Sequence, residues 1–262
     1  HISVRNDDGV AYLEAMSPVD CIFLDPARRN EHGGKTVAIS DCEPNVAELE
    51  GLLLSKANRI MIKLSPMLDL SQALKELPHT QEVHIISVNN ECKELLLLLG
   101  QTAPEEIPVH CVNLSTKGEQ EKQLFVFTRE QEQHSECSYT DTLGNYLYEP
   151  NASLLKAGAF RSIAAAYSVK KLHPNSHLYT SDTQIEGFPG RTFRIINRCS
   201  LNKKEIKENL SDLKKANITV RNFPATVAEL RKRIKLAEGG DTYLFASTLN
   251  DEQKVLVRCE KV

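Results

Sequence analysis

The stretch that decides the fold is Val19-Asp20-Cys21-Ile22-Phe23-Leu24-Asp25-Pro26-Ala27-Arg28-Arg29. Its first six residues mix β-branched, aromatic and aliphatic side chains and predict a strand. Pro26 fixes φ and has no N–H, so the strand must stop there. Asp25 is thereby set at the strand's carboxyl end. Arg28 and Arg29 follow with forked donors suited to phosphate or carboxylate. Open α/β sheets take ligands beyond the carboxyl ends of their strands. A strand-ending turn with a surface arginine pair is the plainer reading.

Working outward, residues 1–130 alternate short apolar runs with helical spacing. Ile2–Val4, Arg59–Leu64, Glu82–Val88 and Gln123–Thr128 read as further strands. Residues 9–16, 45–57 and 68–77 read as helices, and Cys92–Gly100 as a short helix or a loop-strand joint. Such alternation predicts an α/β, mostly parallel sheet. Ser65-Pro66 closes the next strand as Asp25-Pro26 closes this one. Upstream, Asp8 in Asn6-Asp7-Asp8-Gly9 precedes a helix. It suits a hydrogen bond from an amine or a ribose hydroxyl, or a plain helix cap.

Residues 131–145 are polar and read as a linker. Beyond them, 151–172 read as helical with a break at Gly158, followed by strands at 178–180 and 191–197. Residues 202–216 form an amphipathic helix with Ile206, Leu210 and Leu213 on one face. A strand, a second helix and two strands complete an α+β module.

Of the 262 residues, 41% are hydrophobic and 26% charged, which excludes a disordered or fibrous chain. No apolar run approaches a membrane span; Leu95–Leu99 is five residues. The seven cysteines form no CxxC pair and no zinc-type spacing with histidine, so free thiols in a reducing cytoplasm and no metal are expected. The chain opens on His1 with no signal peptide and no starting Met, and is expected to begin inside a longer protein.

Charge divides the chain. Residues 1–146 hold 12 Lys and Arg against 23 Asp and Glu; residues 147–262 hold 20 against 12. The basic half suits a polyanion such as nucleic acid, or is a solvated lysine surface. Its candidate phosphate contacts are Arg191, Arg194, Lys214, Lys215, Arg221, Arg231, Lys232 and Arg233.

Two motifs carry a family resemblance. Asp8 in DDGVAYL and Asp25-Pro26-Ala27-Arg28 resemble the adenine-contacting acid and the acceptor-facing D/N-P-P-aromatic motif of class I S-adenosylmethionine-dependent methyltransferases. Ala27 and Arg28 depart from that motif's second proline and aromatic residue, and no glycine-rich loop precedes them. A closer resemblance, to THUMP-like-domain methyltransferases of Bacteroidetes, rests on DPARR (25–29), AISDCEPN (38–45), YLYEPNASLLKAGAF (146–160), HLYTSD (177–182), FPGR (188–191), ANITVRNFP (216–224) and EGGDTYLFA (238–246).

The resemblance implies a partial Rossmann-like methyltransferase sheet at 1–130, a ferredoxin-like segment at 146–190 and an α+β THUMP-like domain at 191–262. It implies Asp25, Pro26, Arg28 and Arg29 at the catalytic edge and Asp8 at the cofactor. Cofactor binding by this stretch alone is expected to be weak or absent. The implied function is the carboxyl-terminal portion of a methyltransferase acting on RNA. A non-catalytic RNA- or protein-binding module is the alternative, and a small-molecule methyltransferase would leave the basic half unexplained. With the first strands of such a sheet missing, Val19–Leu24 becomes an exposed edge, inviting a homodimer through it, and residues 1–8 lose their neighbours.

Overall fold

The structure is a computed structural model that describes residues 2–28, 38–116 and 122–262. Its elements begin with α1 (Gly9–Ala15), β1 (Val19–Leu24), β2 (Ala27–Arg28), β3 (Cys42–Glu43), α2 (Val46–Lys56), β4 (Ala57–Leu64) and α3 (Leu70–Glu76). Next come β5 (Thr80–Val88), β6 (Glu91–Gly100), β7 (Val109–Leu114), β8 (Lys122–Phe127), α4 (Arg129–His134), β9 (Tyr146–Pro150), α5 (Ala152–Ala157) and α6 (Arg161–Ala166). The chain ends with β10 (Lys170–Lys171), β11 (Tyr179–Ser181), β12 (Gly190–Cys199), α7 (Lys203–Leu210), β13 (Asn217–Val220), α8 (Val227–Ile234), β14 (Thr242–Thr248) and β15 (Lys254–Lys261). Two compact units result: residues 1–130 with 152–157, and 131–151 with 158–262. Among the described residues no helix is long and apolar enough to cross a membrane.

The first unit is built on a six-stranded sheet of order β1-β4-β6-β5-β7-β8. It is mixed rather than mostly parallel. Only β1·β4 and β5·β7 are parallel; β6 runs antiparallel between β4 and β5, and β8 antiparallel to β7. The cause is local. Asn89 and Asn90 take φ of 51° and 64°, the left-handed pair of a two-residue hairpin, and asparagine tolerates it best after glycine. Val88 therefore pairs with Glu91, and the leucine run continues as strand β6 instead of a helix or joint. The Asn90 side chain then accepts the N–H of Ala152 at the start of α5 (2.8 Å).

Alternate residues along these strands are buried, among them Ile60, Ile62 and Leu64, Val83 and Ile85, and Leu95, Leu97 and Leu99. Leu53 of α2, Leu77 and Leu154 of α5 are buried too. This is the period-2 signature of a sheet with one covered face. β1 is the sheet edge, as expected, with Phe23 exposed. Ile2–Val4, expected as a strand, pair with nothing described and are exposed.

The second unit carries a seven-stranded sheet of order β10-β11-β9-β12-β15-β14-β13, antiparallel except for β13·β14. β12 ties it together: its first half pairs with β9 and its second with β15. Gly190 permits this, because a Cβ there would collide with the Glu149 carbonyl. One core gathers Leu147, Phe193, Phe245 and Val257. A second joins Leu210 and Leu230 of α7 and α8 to Leu244, Ala246 and Leu256, with Ile206 and Leu213 packed against it. The helix expected over residues 202–216 ends at Leu210, so Leu213 packs from the turn beyond it. The break at Gly158 falls between α5 and α6, where its φ is +75°. Residues 131–145 pack within this unit. The Glu132 carboxylate accepts the N–H groups of Phe160, Arg161 and Ser162 at 3.0, 2.8 and 2.9 Å.

Candidate functional site

Asp25 emerges from the edge strand β1 and meets Lys63, which lies near the end of the neighbouring parallel strand β4. Lys63 Nζ is 2.5 Å from Asp25 Oδ2. The Asp25 contact raises the Lys63 pKa above the ordinary lysine value. The two residues line a recess of about 120 Å³ with Pro26, Cys42, Leu64, Ser65, Pro66, Lys93 and Glu94. Both strand-ending prolines thus face one recess at the carboxyl ends of β1 and β4. The backbone just after Pro26 is pinned by the short β2·β3 pair, in which Ala27 and Arg28 face Glu43 and Cys42. Arg29 lies outside the described residues.

Asp8 caps α1: its Oδ1 accepts the N–H groups of Val10 and Ala11 at 3.0 and 2.8 Å. This is the capping alternative of the sequence reading, and among the described residues the second carboxylate oxygen has no hydrogen-bond partner.

The basic candidates fall into two sets. Arg191 and Arg221 grip one buried carboxylate, Glu149, whose side chain is only 3% exposed. Arg191 stands opposite Glu149 in the β9·β12 register and binds Oε2; Arg221, just past β13, reaches Oε1 at 3.0 Å. Arg194 pairs with Glu260. Arg231 donates to the Ala216 carbonyl at 3.1 Å, and Arg233 to that of Leu201 at 2.8 Å. All five make a contact within the second unit, with Arg194 and Arg233 still exposed. Lys214, Lys215 and Lys232 are exposed and make no ion pair with the described residues. Lys214 and Lys215 are held beside Ala237 by backbone pairing, and α8 supplies Lys232 close by in the chain.

Sequence reasoning missed Lys63, Lys93, Glu94 and Glu149. Lys63 sits two residues before Ser65-Pro66, a position that marks it as a strand-end residue. Lys93 and Glu94 were hidden because β6 was not read as a strand. Glu149 carries no local signal, since its two partners lie 42 and 72 residues away.

Residues 146–189 match the family of ferredoxin-like domains, and residues 190–261 match the THUMP domain-like family. The family boundary at 189/190 falls at the start of β12, inside one continuous sheet. The fold is similar to a Porphyromonas gingivalis protein provisionally described as a methyltransferase, with TM-score 0.84 and 40% identity. The match covers 93% of this chain and 60% of that one, so the chain spans well under two thirds of its neighbour's length. No curated protein matches it.

Proposed function

We propose that this chain, whose residues 146–189 and 190–261 match ferredoxin-like and THUMP domain-like families and whose fold is similar to that of a provisionally described methyltransferase, is the acceptor-side portion of an S-adenosylmethionine-dependent methyltransferase acting on RNA. The observation that carries this is Asp25 at the carboxyl end of β1, in a recess with Lys63, Ser65 and Pro66.

The described residues fit one edge of a cofactor site. Asp8 has a carboxylate oxygen left for an amine or hydroxyl, while no glycine-rich turn follows any described strand. S-adenosylmethionine, when bound, supplies an already electrophilic methyl group, so alignment is the main task left to the protein. Asp25 performs it from the acceptor side. Lys63 holds its Oδ2, and Oδ1 has no partner among the described residues. That oxygen accepts a hydrogen bond from an acceptor amine, orienting its lone pair and stabilising the positive charge that develops on nitrogen. Lys214, Lys215 and Lys232 contribute sequence-independent phosphate contacts.

The test is calorimetric titration of S-adenosylmethionine into this chain and into the full-length gene product. Binding to the full-length product, with methyl transfer to RNA that Asp25→Asn lowers about a hundredfold, supports the reading. Absence of binding to both overturns it in favour of a non-catalytic RNA- or protein-binding module.

A further inference from the structure

A second cluster of chemistry-bearing side chains lies away from the Asp25 recess, in the middle of the same six-stranded sheet. Glu82 and His84 are two residues apart on β5, so both side chains leave the same face. His110 stands beside His84 in the parallel β5·β7 register. The two imidazole rings are stacked, with centroids 4.4 Å apart and planes 8° from parallel.

The ligand atoms converge. His84 Nε2 is 3.1 Å from Glu82 Oε2, and His110 Nε2 is 3.8 Å from the same oxygen. All three donor atoms lie within 4.8 Å of one another. A tetrahedral zinc ion with bonds of about 2.0–2.2 Å sets its ligand atoms roughly 3.3–3.5 Å apart. The two distances to Glu82 Oε2 bracket that value. An imidazole lone pair lies in its ring plane, so coordination requires the two rings to turn out of their parallel stack until both Nε2 atoms point at one ion. The histidines are 26% and the glutamate 45% exposed, which leaves the cluster open to solvent. Paired strands hold all three residues, and strands place ligands more tightly than loops.

We propose that Glu82, His84 and His110 bind one divalent transition-metal ion of the zinc class, leaving a coordination position for water or a further ligand. Two imidazoles and one carboxylate suit zinc and its neighbours rather than magnesium or calcium, which prefer all-oxygen shells. The three residues lie up to 28 positions apart in the chain, which is why cysteine and histidine spacing alone gives no sign of them.

The test uses tag-free, metal-stripped protein titrated with Zn²⁺ against a chromophoric chelator. One equivalent is expected, with at least a tenfold weaker affinity in His84→Asn and in His110→Asn. Thermal melts of the metal-free variants check that each still folds. Independently of any variant, Co²⁺ added to the unaltered protein should give visible d–d bands without a near-ultraviolet thiolate band. No stoichiometric binding, a thiolate band from one of the seven cysteines, or unchanged affinity in folded variants overturns the proposal. Neither readout depends on methyl transfer.

Discussion

Glu149 and Asp25 are both carboxylates on or just beyond a strand, and both are held by cations, yet their settings differ in every energetic respect. Glu149 is 3% exposed and is gripped by two arginines through both oxygens. Asp25 is 53% exposed and, among the described residues, is held by one lysine through one oxygen. A buried carboxylate needs all its lone pairs satisfied, because its desolvation is costly. An exposed one keeps an oxygen for a visitor. The comparison teaches that ion pairing by itself does not mark a site; the proposed role of Asp25 rests on the oxygen that no described residue occupies.

The largest effect that can break this comparison is loss of Glu149. Glu149→Ala leaves two arginines facing a buried gap and should destabilise the second unit by about 2–3 kcal/mol, somewhat below a fully buried pair because both arginines are partly exposed. Urea unfolding measures it; a loss below 1 kcal/mol would make Glu149 no more structural than Asp25. The next effect reverses the roles. Asp25→Asn should leave the urea midpoint almost unchanged, since exposed pairs contribute about 0–1 kcal/mol. In the full-length product it should lower methyl transfer about a hundredfold, which corresponds to about 2.7 kcal/mol of barrier.

A smaller effect is acid sensitivity confined to the second unit. His177 stacks on Phe160, and burial, with Lys171 and Arg221 nearby, pushes its pKa down to about 4. A histidine with a depressed folded pKa contributes full stability above its unfolded value near 6.5. As pH falls towards 4, the unfolded chain takes up a proton that the folded one refuses, and stability is lost. After allowance for solvent screening the loss is about 1–2 kcal/mol, and His177→Asn should remove it from the pH–stability curve. The smallest effect is Lys214→Ala with Lys215→Ala. Stability should shift by less than about 0.5 kcal/mol. RNA binding should weaken alike for all sequences, and the log–log salt slope should fall by about one per lysine.

Much of the scaffold was legible before any coordinates. Asp25-Pro26 and Ser65-Pro66 announced two strand ends because proline must interrupt the ladder there. Gly158 announced a helix break, and Ile206 and Leu210 the apolar face of α7. The direction of β6 was not read, although Asn89-Asn90 is a hairpin signal. The five leucines that follow mask it, being equally good in a buried helix or strand. Strands β7 and β9 escaped notice too, and with β9 went Glu149.

The sequence by itself determined several of the places where elements stop, because proline, glycine and capping side chains act on their own backbone. It also determined the division of charge between the two halves of the chain. Only the tertiary structure decided which carboxylate would be buried, which lysine would meet Asp25, and that His84 and His110 would stack. Those outcomes depend on strand order and register, which join residues tens of positions apart. Pairing across that distance is set by how the whole sheet buries its apolar face, and no local pattern records it.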